Sequence, residues 1–248
     1  MTRIAVLSDV HGNLVALEAV LKQLKKEKPD FVLVAGDLVL NGPDPNGTVD
    51  ALRGLEKDGG IVVSGNTDIA VGDFDYGSAF PHYQDGVPDT ITAAAEWAHD
   101  ELGDDQLDWL RRLPAERRIR GGDDQLVLVV HASPGSQTRG FDPALDANIV
   151  FERAAATDAR VICVGHTHLP EVRDLGWKVI VNDGSCGYVF DGEPTASWAV
   201  IDIHEGNVTA ELRRTEFDAV SVANAISARG LPGDVYRAAT VRTGKHVR

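Results

Sequence analysis

The first 65 residues repeat one unit: a short apolar run, a polar turn, and a helical stretch. Ile4–Leu7, Phe31–Ala35 and Ile61–Val63 are the apolar runs, and Leu14–Lys26 and Thr48–Leu55 are the predicted helices between them. Alternation at this spacing builds βαβ units and a mostly parallel sheet. Pro29 ends the first helix, and Lys25, Lys26 and Lys28 complement its dipole. Each apolar run leads into a polar motif: Asp9 and His11, then Gly36 and Asp37, then Gly65 and Asn66. Asp37 lies 28 residues after Asp9, and Asn66 lies 29 after Asp37. That is about one βαβ repeat. Successive parallel strands therefore bring the three motifs to one edge of the sheet, the edge where open α/β proteins bind ligands. Read as extended chain, Asp9 and His11 stand at i and i+2 and face the same spot. Alone, such a pair also fits a helix cap beside a surface residue.

Residues 70–115 break this rhythm. Phe74–Val87 reads as a loop or cap segment, followed by predicted helices at Thr90–Leu102 and Asp105–Leu113. The segment is either a partial lid over the strand edge or a helical pair away from it. From residue 116 strands dominate. Arg117–Arg120 and Leu126–Val130 flank the turn residues Gly121–Asp124, and the second run ends at His131. A helix is expected over Ala144–Ala155, and strands over Val161–Val164 and Lys178–Val181. A hairpin is expected from Ala199–Ile203 and Val208–Leu212, and a loose tail over 230–248. No linker divides the chain, so one domain, 1–248, is expected. Its predicted class is α/β, two packed sheets flanked by helices.

Net charge is −14, with the acidic residues spread along the chain. Such a field repels nucleic-acid backbones and argues against general nucleic-acid binding, without excluding a small phosphorylated substrate. No run of 18 apolar residues suggests a membrane span, and no signal peptide is evident. Cys163 and Cys186 form no disulfide framework and suit buried thiols in a reducing cytoplasm. The oligomeric state is open.

The polar residues at strand ends are Asp9, His11, Asp37, Asn66, His131, His166 and His168. Seven oxygen and nitrogen donors with no thiolate exceed one tetrahedral zinc site. They suit two five- or six-coordinate ions of the manganese, iron, cobalt or zinc type that share a carboxylate. Ser133 and Ser185 lack the glycine frame of a nucleophile elbow. Gly121–Gly122 is a turn without the lysine of a phosphate loop. Arg139 is either a phosphate contact or, the plainer reading, a solvent-facing side chain.

Asp9-Val10-His11, Gly36-Asp37, Gly65-Asn66-Thr67-Asp68, His131 and Gly165-His166-Thr167-His168 resemble, in order, the five motifs of the calcineurin-like metallophosphoesterases. The resemblance spans about residues 4–203. Asn41–Asn46 and Val181–Gly187 look like the small bacterial and archaeal phosphodiesterase branch, which has a two-sheet sandwich core flanked by helices. The resemblance implies that Asp9, His11 and His168 hold one divalent ion and Asn66, His131 and His166 a second, with Asp37 bridging. Manganese is the first expectation for both, ahead of iron, zinc, cobalt or nickel. Asp37, Asn66, Asp68 and His131 form the implied catalytic group, with Asp68 acting behind the ligands rather than as one. The implied reaction is phosphodiester hydrolysis by in-line attack of a metal-bridging hydroxide. Dinucleoside polyphosphate hydrolysis and phosphomonoester or protein dephosphorylation are the alternative reactions. A non-catalytic metal-binding scaffold is the rival of a different class.

One position departs from the family pattern. Many members carry His where this chain has Thr67, and threonine cannot act as an acid near neutral pH. This favours diesters with good leaving groups, or anhydrides. His82 and His99 are candidate substitutes from the cap segment, while His204 and His246 carry no expected role.

Overall fold

The computed structural model describes all residues, 1–248. β1 (Thr2–Leu7) leads through a turn into α1 (Leu14–Glu27), followed by β2 (Phe31–Ala35), α2 (Pro45–Lys57) and β3 (Ile61–Val63). Four helices come next: α3 (Asn66–Asp73), the single turn α4 (Tyr76–Ala79), α5 (Asp89–Asp100) and α6 (Asp104–Arg111). The second half runs β4 (Glu116–Arg120), β5 (Leu126–Val130), α7 (Ala147–Ala155), β6 (Val161–Val164), β7 (Glu171–Asp174) and β8 (Val179–Asn182). It closes with β9 (Ala196–His204), β10 (Asn207–Thr215), α8 (Ala219–Arg229) and α9 (Asp234–Thr243).

The strands form two five-stranded sheets, ordered β10-β9-β1-β2-β3 and β4-β5-β6-β8-β7. β1, β2 and the edge strand β3 are parallel, as are the inner strands β5, β6 and β8. Alternation within each strand divides the core into layers. Ile4 and Val6 of β1 pack with Leu33, Val127, Val129, Val161 and Ile201 between the sheets. Ala5 and Leu7, on the opposite face of β1, join Leu17, Val20 and Leu52 beneath α1 and α2. On the second sheet, Leu128 and Ile162 pack outward against Val150 and Ala154 of α7. Helices thus cover both outer faces, and the result is an α/β sandwich of helix, sheet, sheet and helix.

Local chemistry explains where element bounds differ from expectation. α2 starts at Pro45 rather than Thr48 because Asp44 caps it, accepting from Gly47 N at 2.8 Å, and proline suits the first helical position. α3 and β7 were not legible as elements. α3 is a short helix without an apolar stripe, held by Asp68, which accepts from Gly65 N at 2.8 Å. β7 is a polar edge strand, Glu-Val-Arg-Asp, and pairs on one side only.

The tail differs most. Residues 230–248 do not form a loose tail: α9 packs Ala238 and Val241 against Val222, Ala223 and Ile226 of α8 and against Tyr188. Buried Asp234 binds both Arg229 (2.6 Å) and Arg237 (3.1 Å). Arg229 also donates to the carbonyls of Gly42 (2.7 Å) and Asn41 (2.9 Å), and Arg237 to Asn41 Oδ1 (3.0 Å). The α8–α9 hairpin is thereby fastened to the loop that follows Asp37.

Candidate metal centre

The parallel strands of both sheets deliver their C-terminal turns to one place, and backbone hydrogen bonds knit those turns together. Asp9 N donates to Gly36 O (2.9 Å), His11 N to Asp37 O (3.0 Å), and Gly165 N to His131 O (2.9 Å). Asp9 and His11 do not continue the strand, as an extended reading supposed. Asp9, His11, Asp37, His166 and His168 all have positive φ, between 51° and 70°. Left-handed backbone at a residue other than glycine is uncommon and strained. Here the neighbouring turns enforce it, and it swings each side chain inward.

One further contact requires a glycine. A Cβ on Gly65 would come within 2.1 Å of Asp37 Oδ1 and 2.4 Å of Asp37 N. Gly65→Ala should therefore push the second and third motifs apart. The expected result is a loss of about 2–4 kcal/mol of stability in denaturant unfolding, together with reduced metal occupancy. Unchanged stability and occupancy would contradict the close packing.

The donor atoms converge in two overlapping groups. Asp9, His11, Asp37 and His168 offer ligand atoms all within 4.8 Å of one another, and all four residues are buried. Within this group His168 Nε2 lies 3.1 Å from Asp9 Oδ1 and 3.3 Å from His11 Nε2, and His11 Nε2 lies 3.6 Å from Asp37 Oδ2. The second group meets at Asp37's other oxygen, with His131 Nε2 3.3 Å from Oδ1. Asn66 Oδ1 is 3.1 Å from His131 Nε2 and 3.2 Å from His166 Nδ1. Asp37 is the one carboxylate common to both.

The orientation of each donor is fixed from behind. His11 Nδ1 meets Leu40 O at 2.9 Å, His131 Nδ1 meets Ala35 O at 2.7 Å, and His168 Nδ1 meets Tyr188 O. A carbonyl can only accept, so each Nδ1 carries the hydrogen and each Nε2 turns toward the cluster. This is how protein metal sites orient imidazole ligands. Asn66 Nδ2 donates to Ala79 O of α4 at 3.1 Å, which aims Oδ1 inward. Thr67 N donates to Asp37 Oδ1 at 2.9 Å.

Electrostatics agree with this geometry. Asp37 and Asp9 stand far below the usual carboxylate range: burial alone would raise them, but the surrounding imidazoles win. In the protein without cations, burial opposes protonation of His131, yet Asp37 holds it up to about 10. His166, half-buried next to His131, is pushed down to about 4 by desolvation and by that neighbour's charge. Buried Asp9 Oδ1 accepts no well-directed hydrogen bond, although His168 Nε2 approaches it. A buried carboxylate oxygen without a well-directed hydrogen bond, facing the Nε2 atoms of His168 and His11, is costly unless a cation sits among them. The donor set fits divalent ions with oxygen and nitrogen preference.

The remaining candidates divide clearly. Asp68 does not reach the cluster. Its carboxylate accepts from Gly65 N (2.8 Å), Leu38 N (2.8 Å) and Asp37 N (3.0 Å), so it pins the second motif to the third. Burial and Asp37 push it up to about 7 against those three donors. These bonds place it behind the candidate ligands. Ser8 Oγ bridges Asp9 Oδ2 (2.6 Å) and Asp183 Oδ2 (3.2 Å), and burial beside Asp9 raises Asp183 well above the usual range. Asp183 was not singled out by the sequence, because its strand-end position, Asn182-Asp183-Gly184, reads as an ordinary turn. Arg139 is exposed, and it contacts Ser136 Oγ through its backbone N–H. His99 Nδ1 donates to Val71 O (2.7 Å), its ring packs tilted against Phe74, and it does not line the cleft.

Above the cluster lies a cleft of about 670 Å³. Phe80, His82, Tyr83, Thr90 and Ile91 form one wall, so part of the 70–115 segment does face the site. The opposing lining includes Tyr188, Phe190, Tyr236 and the segment His246–Arg248. That segment was missed because its role depends on α9 bringing it back to the cleft.

Residues 2–206 match the calcineurin-like phosphoesterase superfamily domain. The chain belongs to this family. Its enzymes are metallophosphoesterases, hydrolases of phosphate esters. A crystallised metallophosphoesterase from Sphaerobacter thermophilus is 29% identical, with 98% of this chain and 99% of that one covered and a TM-score of 0.73. A hypothetical protein of Pyrococcus horikoshii shares the fold over both full chains (100% and 100%), with a TM-score of 0.84 at 23% identity. An uncharacterised protein of Methanocaldococcus jannaschii is 29% identical over 246 residues, 92% of this chain and 93% of its own.

Proposed function

We propose that this chain is a two-metal phosphodiesterase acting on a small phosphorylated substrate. The observation that carries the reading is Asp37: one buried carboxylate whose two oxygens face two separate donor groups. Asp9, His11 and His168 would hold one ion, Asn66, His131 and His166 the other, and Asp37 both. Two divalent ions in such a site would supply a hydroxide at neutral pH and offset charge on the phosphoryl oxygens. The protein's own part is orientation. The carbonyls of Leu40, Ala35 and Tyr188 lock three imidazoles, and Ala79 locks Asn66. Thr67 Oγ1, buried and without a partner, lines the cleft and is free to donate to a phosphoryl oxygen.

Manganese remains the favoured metal, since the oxygens of Asp9, Asp37 and Asn66 stand among the imidazoles. A cytoplasmic setting suits two free, buried cysteines, Cys163 and Cys186, and no helix is long and apolar enough to cross a membrane. An anhydride substrate is the second reading. A putative diadenosine tetraphosphatase shares the fold (TM-score 0.52, 18% identity, 85% of this chain and 93% of that one covered), and Thr67 favours good leaving groups. The test is hydrolysis of bis-p-nitrophenyl phosphate by chelator-treated protein with manganese restored. Turnover is expected only with added metal, and faster than on p-nitrophenyl phosphate. Absence of turnover with every divalent metal would overturn the proposal and favour a metal-binding scaffold.

A further inference from the structure

Hydrolysis of a phosphoester leaves an oxygen that needs a proton, and the cleft offers few groups able to give one. The four clustered imidazoles face the cluster with one nitrogen, and three of them hold a carbonyl with the other. Thr67 cannot lose a proton near neutral pH. Arg237 is fully engaged by Asp234, Asn41 Oδ1, Pro232 O and Thr90 O. Two imidazoles are left, His82 and His246.

His246 is the better placed of the two. Its ring stacks on Phe190 with centroids 4.4 Å apart at 13°, and Phe190 stacks in turn on His168 at 4.1 Å and 11°. The three rings form a column that starts at the cluster and ends in the cleft. The backbone beneath is fixed as well. Gly244 ends α9 with φ 65°, where a Cβ would meet Glu193 backbone at 2.7 Å, and this turn sends the chain back toward the site. Gly192 N donates to Gly244 O (2.7 Å), Lys245 bridges to Asp191, and Val247 N donates to Thr240 Oγ1 (3.0 Å). Both rings are exposed, but His82 lies tilted over its chain neighbour Tyr83 and edge-on to Phe80, with no aromatic contact to the cluster.

We propose that His246 is a catalytic residue that protonates the leaving oxygen, with Phe190 positioning its ring. The proposal rests on the phosphodiesterase reading above. In the reaction, water's oxygen bonds to phosphorus as the water gives up a proton to solvent, and the bond to the leaving oxygen breaks with its electron pair. That oxygen takes the proton of the imidazolium, and neutral His246 regains a proton from solvent. Burial and the charges of Arg248 and His168 disfavour the imidazolium in the free cleft, while the anionic phosphate that arrives with substrate acts in the opposite direction. Arg248, beside His246 in the cleft lining, adds a cation for that anion.

The test compares His246→Gln and His82→Gln with the native chain on two diesters, methyl p-nitrophenyl phosphate and methyl phenyl phosphate. The p-nitrophenolate leaves without a proton, whereas phenolate gains from one. His246→Gln should lower kcat about 100-fold on the phenyl ester and by less than about threefold on the p-nitrophenyl ester, a difference in slope. His82→Gln should change neither. A second readout avoids turnover: the His246 imidazole resonance of zinc-loaded protein should move on addition of phenylphosphonate. Equal losses on both esters, or a resonance that does not move, would overturn the proposal, as would a selective loss in His82→Gln. Failure of the native chain on both esters with every divalent metal would instead remove the underlying reading.

Discussion

Asp37→Asn should abolish turnover while leaving the fold intact, with kcat/KM lower by at least about 10³-fold. The substitution keeps shape and one carbonyl oxygen. Thr67 N can therefore still donate to this side chain, and the close approach of Gly65 is undisturbed. What disappears is the anion that both donor groups share. His131 Nε2 at 3.3 Å and His11 Nε2 at 3.6 Å face its two oxygens, and a neutral amide cannot offset two neighbouring cations. Metal content measured on the purified variant should fall from two ions per chain to one or none. Circular dichroism and the denaturation midpoint should stay near native values. Activity within tenfold of the native chain, or two ions retained, would remove Asp37 from the bridging position.

The second large effect is the linkage of metal, protons and stability. Without cations, Asp37 and Asp9 hold protons on His131, whose pKa lies at about 10, and on His168, which is also raised. A group whose pKa rises on folding stabilises fully below its unfolded value, about 6.5 for histidine, and loses that contribution as pH rises through the folded value. Chelator-treated protein should therefore become less stable between pH 7 and 10. A bound divalent ion requires neutral imidazole, so metal binding at pH 7 should release protons, and affinity should climb with pH. His166 releases none, because burial beside His131 keeps it neutral, with a pKa of about 4.

The expected observation is a melting temperature that falls with rising pH in chelator and is restored by metal, with the gap widest near pH 9. At a thousandfold excess over Kd the stabilisation is about 4 kcal/mol, or roughly 10 °C for a chain of this size. Calorimetric titration in buffers of different ionisation enthalpy measures the protons released. No release at pH 7, or an affinity that falls between pH 6 and 8, would contradict the charge arrangement at the cluster.

The sequence by itself determined which strand ends carry donors, because apolar runs and polar turns recur at a fixed interval. Asp9, Asp37 and Asn66 follow from that repeat, and His131, His166 and His168 from strands that end the same way. Such signals are local, and a parallel strand has few alternatives about where its C-terminal turn points. Tertiary structure alone decided how the donors are aimed. Positive φ at five of them is enforced by neighbouring turns, and the carbonyls that orient His131 and His168 come from residues 96 and 20 positions away.

Long-range pairing also decided the fate of the C-terminal segment. Its composition reads as a polar tail, yet Asp234, Arg229 and Arg237 bind it to the loop at Asn41 and Gly42, nearly 190 residues earlier. No local pattern encodes a contact at that separation. Only the folded chain brings His246 onto Phe190, and so sets a further imidazole-bearing segment beside the cleft.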